Sequence, residues 1–596
     1  MSHTFAVWAP TATSVDLVLV RDATGPDDGQ RTPRPMTGAD GGWWHLAVGG
    51  TGHGSDYLFS VDGGDPVPDP RSSWQPFGVH GPSRLFDPSL HHWGDDGWRG
   101  RDVRGAVHYE LHVGTFTPEG TLDAAVARLD HLVGLGVDVV ALMPVAAFPG
   151  RWGWGYDGVH LFAVHDPYGG PAALQRFVDA CHGRGLAVSL DVVYNHLGPA
   201  GNYTSAFGPY FTDAHETPWG QAVNLDTDRA AEVRRWICDN ALRWFRDFHV
   251  DALRLDAVHA LVDDSDRHVL AQLAEETAAL ADGLHRPLSL VAESDLNDAA
   301  MVTPTSEGGL GMTAQWDDDA HHALHTLLTG ERNGYYADFG SAEVLRTVWR
   351  EAFWHAGRRS SFRGADWGVP VPPGTSGHRF LVYASNHDQI GNRALGDRPA
   401  ETLGAGELAG ALALLLTAPF TPMLFMGEEW GARTPFRFFT DHDDPDLAAS
   451  VSEGRRREFA AHGWDADAVP DPQDPATREA SVLRWDEPDE PVHAGLLAWT
   501  SSLLRLRRGE RDLRDDDLAA VELEAGPPDE HRADGRPEWL LVHRGAWRVA
   551  VVLRDGETEV PLGGHGTLER HWGAAWTTGR TLRLQGPGAA LVRLHG

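Results

Sequence analysis

Three carboxylates stand where long apolar runs end: Asp256 in LRLDAVH, Glu293 in LVAESD and Asp388 in ASNHDQIGNR. A charge at the end of a buried strand needs a reason. Three of them beside an arginine and several histidines describe a reaction centre better than a set of helix caps. Alternate side chains of an extended strand share a face, so Arg254 and Asp256 point one way while Leu253 and Leu255 point the other. A guanidinium beside Asp256 favours the ionised carboxylate that a nucleophile needs. Glu293 sits among Val291, Ala292 and Ser294, a less polar setting that keeps a carboxylic acid protonated. Two carboxyls driven toward opposite protonation states can serve as the nucleophile and general acid of glycosidic bond cleavage.

Such side chains need a scaffold that brings strand ends together. Strand patterns run over 106–117, 137–145, 186–196, 250–261, 287–295, 312–318, 379–388 and 421–430, with helical patterns at 121–136, 171–185, 231–248 and 495–509. Eight strands alternating with helices predict an α/β fold, a parallel (β/α)8 TIM barrel with large insertions, whose functional residues project from the C-terminal strand ends. A doubly wound sheet is the competing topology and places these sites less well. Residues 1–92 read as short strands (FAVWAP, VDLVLV, WWHLAV, DYLFSV) of an N-terminal immunoglobulin-like β-sandwich. Residues 93–514 read as the catalytic barrel, joined through the linker HHWGDDGWRGRD, with an Asp-, Pro- and Arg-rich surface excursion at about 434–490. Residues 515–596 return to strands and predict a C-terminal antiparallel β-domain.

The ordered blocks DVVYNH (191–196), RLDAVHA (254–260), AESD (292–295) and SNHDQ (385–389) resemble the α-amylase superfamily, glycoside hydrolase family 13. The resemblance implies that Asp256 is the nucleophile, Glu293 the acid/base and Asp388 the carboxylate that stabilises the transition state. It implies that His196 and His387 bond sugar hydroxyls, that Arg254 supports the nucleophile, and that Tyr156 stacks under the sugar while Asp157 bonds it. His259, Asp318, Asp319, His321, His322, Asn386, Gln389 and Asn392 are expected to contact substrate. Asp191 and Asn195 are expected to orient the histidine and the nucleophile. WGWGYDGVHLFAV, ESDLND, QWDDDAHHALH, NHDQIGNRALGDR and FMGEEWG are similar to the malto-oligosyltrehalose trehalohydrolase subfamily. That narrower resemblance implies an α-1,4-glucan substrate ending in a trehalose unit, cut beside that unit, and functional pairing with a maltooligosyl trehalose synthase. An α-1,4-glucan branching enzyme and a non-catalytic glucan-binding protein remain the alternatives. A retaining mechanism predicts nucleophile and acid/base carboxyls about 5–5.5 Å apart.

Other features weigh less. Gly153 to Gly158 matches GxGxxG, but bulky aromatics fill it and no helix opens from it, so it is not a dinucleotide loop. The spacing of Asp318, Asp319, His321 and His322 fits no standard zinc pattern, and neither a metal nor another cofactor is expected. Trp152, Trp154, Trp316 and Trp430 are expected nearest the rim. Glu428 and Glu429 are expected to line outer subsites or pair with arginines, and Arg455 to Arg457 to form a solvated helix face.

Composition excludes several classes. The 596 residues carry 85 acidic and 50 basic side chains, a net charge of −35, which disfavours nucleic acid and anionic membranes as partners. Every basic residue is arginine, so lysine Schiff-base chemistry and a Walker A loop are impossible. Cys181 and Cys238 sit in helical patterns and are expected to be buried free thiols. With no signal-peptide or membrane-spanning pattern, the expectation is a soluble, cytoplasmic protein.

Overall fold

The computed structural model describes residues 2–461, 468–531 and 534–595. Eight parallel strands close into a barrel: β1 (His108–Leu111), β2 (Val139–Leu142), β3 (Ala187–Val192), β4 (Ala252–Leu255), β5 (Ser289–Ala292), β6 (Ala314–Trp316), β7 (Phe380–Tyr383) and β8 (Thr421–Phe425). Each pairs with the next, and β8 returns to β1 with Phe425 opposite Glu110. Closure rules out the doubly wound sheet. These strands are covered on both faces, which is why they read as continuous apolar runs rather than as alternation. Side chains of one parity, among them Val139, Ala187, Ala252, Val291, Leu381 and Met423, form a separate cluster inside the barrel. Continuing that parity toward the C-terminal ends brings up Glu110, Asp191, Arg254, Asp256 and Glu293. The barrel interior is thus apolar below and charged above.

Helices that follow the strands include α1 (Gly170–His182), α2 (Ala230–Asp247), α3 (Val269–Leu284), α4 (Asp318–Thr329), α5 (Ala405–Leu416) and α6 (Pro491–Gly509). The helix expected over 121–136 is two, Leu122–Val126 and Leu129–Leu135. Between them Ala127 and Arg128 bond back to residues three earlier, a 3₁₀-type tightening that periodicity does not register.

The N-terminal region forms two antiparallel sheets packed through Phe5, Leu17, Tyr57 and Phe59. Beyond the four expected strands and two two-residue ones, Gln30–Pro35 pairs with Val15–Arg21 at a sheet edge. It is exposed throughout and contains two prolines, so it shows neither alternation nor a strand-like composition. Trp8 meets Tyr210 edge-on, and Trp236 donates to the Pro70 carbonyl at 3.1 Å, fastening this region to the segments around the barrel. The C-terminal region is a six-stranded antiparallel sheet, including Gly566–Trp572 and Ala575–Thr578, which the sequence pattern did not reveal. It packs on α5, where a side chain at Gly410 would come within 2.7 Å of Val551. Residues 462–467 of the expected surface excursion lie outside the described residues. Cys181 and Cys238 are buried and unbridged.

Candidate active site

Arg254, at the C-terminal end of β4 and 4 % exposed, is the hub of the charged end. Its Nη1 donates to Asp191 Oδ2 at 2.7 Å and to Asp256 Oδ1 at 2.8 Å, with the Tyr156 hydroxyl at 3.3 Å. Its Nη2 lies 2.8 Å from Glu293 Oε2, close enough for an ion pair but not aligned as a hydrogen bond. Trp316 lies beneath the guanidinium, 4.4 Å from ring to carbon, so this tryptophan supports the arginine. The carboxylates flanking Arg254 overcome the burial that would otherwise make it easier to deprotonate, and hold it well above the ordinary arginine range.

Asp256 is gripped from both sides. Arg254 donates to Oδ1, and Asn195 Nδ2 donates to Oδ2 at 2.8 Å and to the Asp256 carbonyl at 2.7 Å. The next residue, Ala257, adopts the left-handed conformation with φ 40° and ψ 52°, which costs a non-glycine residue about 1 kcal/mol or more. That turn aims its N–H at Glu293 Oε2, 2.8 Å away. Glu293 Oε1 has no partner among the described residues. Burial drives the Glu293 carboxyl well above its usual range. The charges of Asp256 and Asp388 add to that push, and Arg254 and the Ala257 N–H only partly oppose it. These surroundings favour the protonated form of Glu293.

Asp388 occupies the first turn of a short helix, His387–Gly391, capped by Asn386, whose side chain accepts from the Asp388 and Gln389 N–H groups. Asn392 Nδ2 donates to Asp388 Oδ1 at 3.2 Å. Neighbouring His387 is fixed by Glu110, which takes its Nδ1 at 2.8 Å and its backbone N–H at 3.0 Å, while the Tyr156 hydroxyl meets Nε2 at 2.7 Å. Burial alone would depress the imidazole, but Asp388 and Glu110 together lift it to about 9. Glu110 was not anticipated; its signal was an acid buried inside the β1 run HYEL. Tyr156 is presented by a tight turn. Gly155 has φ +98°, and a side chain there would lie 2.4 Å from the Pro144 carbonyl. The Tyr156 hydroxyl donates to Asp191, and its ring stacks on His387. Asp191 itself is raised to about 6, chiefly by burial.

His196 lies between the Asn195 side-chain oxygen and the Tyr156 carbonyl, stacked on exposed Trp219 at 4.7 Å. Asp157, raised by burial, lies near His196 and His442. His259 is 3.7 Å from Asp295, which also pairs with Arg363 at 2.8 Å. Four residues expected to contact substrate are occupied within the protein. Asp319 accepts the Trp354 and His355 N–H groups and the Asn297 amide, holding a distant loop. His321 spans the Ala384 carbonyl and the Tyr336 hydroxyl. Asn386 is a buried helix cap, and the Gln389 side chain completes its capping box. Asp318 accepts from the Tyr383 hydroxyl but lines a small cavity, together with His322, Tyr335, Phe362 and Arg363. Phe362 and Tyr335 are 57 % and 42 % exposed, so two aromatic faces stand open beside the Glu293 loop.

Trp154 and Trp430 are buried. Trp154 stacks on Phe436, and Trp430 donates to Glu487. Glu429 is buried against Tyr109 and His131 rather than lining a subsite. Burial lifts Glu428 to about 8. Arg455 turns inward over Phe438 and donates to the Gly391 carbonyl, while Arg456 and Arg457 face solvent, so the arginine run is only partly a solvated face. Among the described residues one group has the spacing of a metal site, His215, Asp226 and Asp264; His215 and Asp226 bond each other at 2.9 Å.

An eight-stranded barrel with paired carboxyls around one arginine at its C-terminal end is the architecture of an α-amylase-type glycosidase. The family model "Alpha amylase, catalytic domain" matches residues 86–207, and "Carbohydrate-binding module 48 (Isoamylase N-terminal domain)" matches residues 1–77. The chain is 53 % identical to a malto-oligosyltrehalose trehalohydrolase of Arthrobacter ramosus over 100 % of both chains. It is 50 % identical to one of a Rhizobium species over 94 % of this chain and 92 % of that one. A crystal structure of an alpha amylase-type protein from Salmonella typhimurium superposes with TM-score 0.87 at 37 % identity, covering 99 % of this chain and 98 % of that one. Similarity to a 1,4-alpha-glucan branching enzyme of Vibrio parahaemolyticus is 32 % over 52 % of this chain and 46 % of that one. The chain belongs to the malto-oligosyltrehalose trehalohydrolase family. No helix among the described residues is long and apolar enough to cross a membrane.

Proposed function

We propose that the protein hydrolyses the α-1,4-glucosidic bond next to the terminal trehalose unit of maltooligosyl trehalose, releasing trehalose and a shortened malto-oligosaccharide. The observation that carries the chemistry is the arginine shared by two carboxyls in unlike settings: Arg254 and Asn195 orient Asp256, while burial beside them favours the protonated form of Glu293. Asp256 attacks the anomeric carbon as Glu293 gives its proton to the departing glycosidic oxygen, leaving a glycosyl ester on Asp256. Esterification removes the Asp256 charge, one of the causes that holds Glu293 up. The Glu293 acidity therefore rises as its task changes to base, and it takes a proton from the water that cleaves the ester. Configuration is retained. Asp388, beside the imidazolium of His387, is placed to bond ring hydroxyls more strongly as the sugar flattens.

The leaving disaccharide lies on the Glu293 side, where Phe362, Tyr335 and the Asp295–Arg363 pair stand open. A maltooligosyl trehalose synthase, which builds the trehalose end, is the functional partner this reading implies. Incubation with maltopentaosyl-trehalose and, separately, with maltoheptaose tests it by chromatography. Rapid trehalose release from the first with little action on the second is the expected result. Branched products would instead favour the branching transferase, whose similarity spans only about half the chain. Asp256→Ala should lose turnover by roughly four orders of magnitude or more while keeping the native circular dichroism spectrum.

A further inference from the structure

A larger cavity, of about 500 Å³, lies at the opposite end of the barrel. Its walls are the segments that immediately precede β1, β2 and β3, together with the end of α6. Six arginines line it, Arg101, Arg104, Arg184, Arg507, Arg508 and Arg514, against two aspartates, Asp102 and Asp138. In a chain of net charge −35 this is a concentration of the opposite sign.

Fastening the linker and α6 to the barrel accounts for part of the cluster. Arg101 reaches Asp138 at 3.1 Å and the Gly185 carbonyl at 3.1 Å, and Arg104 closes on Asp102. Arg184 pairs outward with exposed Asp130. The acids are then used up, because Asp138 is shared with Arg508 at 3.2 Å. Arg507, 2 % exposed, has only main-chain carbonyls as partners, and its Nε has none. Arg101 Nε is likewise buried without a partner. Arg514 is exposed and has no ion pair among the described residues. Burial and the neighbouring charges of Arg544 and Arg514 push Arg507 down to about 9, the response of a cation placed among cations.

We propose that this cavity binds a small phosphoryl-bearing anion. A phosphoryl group brings about two negative charges and three acceptor oxygens. Guanidinium forks match that geometry in pairs. A volume of about 500 Å³ lies in the range of small-molecule sites and is far larger than a lone halide needs. A sugar phosphate and a nucleotide share this chemistry, and the experiment separates them. None of these residues belongs to the proposed glucan site, so the inference stands independently of it.

Isothermal titration of the full chain with glucose 6-phosphate, ATP and inorganic phosphate tests the proposal, with glucose and sodium chloride as controls. Saturable binding of a phosphoryl compound, weakened about tenfold or more in the R101Q/R508Q double variant, is the expected result. Preference for glucose 6-phosphate or for ATP identifies the source. Trehalose release should be unchanged in the variant. Arg514→Gln, which breaks no ion pair among the described residues, gives a second reading should the double variant fold poorly, with weakening of a few-fold expected. No saturable heat from any phosphoryl compound, heat matched by sodium chloride at equal ionic strength, or binding unaltered in both variants would overturn it.

Discussion

Arg254 and Arg507 are buried to nearly the same degree, at opposite ends of one barrel, and respond in opposite ways. Arg254 has three carboxyls within 2.8 Å and is held well above the ordinary arginine range. Arg507 has four main-chain carbonyls between 2.8 and 3.2 Å, and arginines beyond them, and falls to about 9. Burial penalises both cations equally in kind, so the sign of the outcome is set by what replaces water around the guanidinium. Carboxyls make the upper end an organiser of acid chemistry. Neutral carbonyls leave the lower end with uncompensated positive charge.

The strongest way to break this comparison is to remove both arginines in turn. Arg254→Met leaves Asp191, Asp256 and Glu293 without their cation, a loss of about 3–5 kcal/mol for a stranded buried charge. It also disorients the proposed nucleophile, so turnover should fall roughly 10³–10⁴-fold in molecules that remain folded. Arg507→Met strands neutral carbonyls at about 1 kcal/mol or more each, so stability also falls by several kcal/mol. Turnover per folded molecule should stay within a few-fold of the parent. Urea unfolding midpoints and single-turnover assays below the transition separate the two. Loss of turnover in folded Arg507→Met would erase the distinction between the ends.

A second contrast lies between two histidines, each held by two acids. His387 has Glu110 at 2.8 Å and Asp388 at 3.5 Å on the upper side. His182 has Asp95 at 2.8 Å and Asp251 at 2.9 Å on the lower. The His387 imidazole, lifted to about 9 against 6.5 in the unfolded chain, contributes stability that is full below 6.5 and is lost as pH rises through about 9. Glu110→Gln removes one of the two acids responsible. The His387 Cε1–H resonance should then titrate at least about one unit lower, toward the ordinary histidine value, and kcat should fall about tenfold. A resonance still titrating near 9 would assign the lift to Asp388 alone.

What the sequence disclosed follows from what each element must bury. The eight barrel strands are covered on both faces, so each is an apolar run with a clear end, and the acids at those ends stood out. Arg254 and Asp256 shared a face because two residues in a strand always do. Glu110 was hidden because its partner, His387, is 277 residues away, and nothing local marks such a pair. Asp319, His321 and Asn386 show the same limit in reverse, because their partners within the protein are equally distant in sequence or set by local backbone geometry. Polar residues after a strand can face substrate or hold another loop, and only the position of Trp354, Ala384 and the capped helix decides between these. Gln30–Pro35 has no buried face, so no pattern betrayed it. The Arg507 cavity escaped attention because its arginines come from segments scattered over some 400 residues and meet only when the barrel closes.

The smallest expected effect sharpens the contrast from below. Burial alone would lower His182, yet its bonds to Asp251 and Asp95 win and raise it. It stacks on Trp98 of the linker at 4.6 Å, and Asp251 takes the Trp98 indole N–H at 2.7 Å, so this charge fastens the linker beneath β4. Its contribution is full below the unfolded value of 6.5 and fades as pH rises through the higher folded value. Asp95, lowered by the same partner, contributes in the opposite sense, present above its ordinary 3.8 and lost in acid. His182→Gln keeps a hydrogen-bonding side chain but no titratable charge. The thermal midpoint should therefore lose part of its decline as pH rises above 6.5, while trehalose release at fixed pH stays that of the parent. A variant whose midpoint declines as steeply as before would show that the alkaline loss belongs entirely to the upper end, to His387 and its acids.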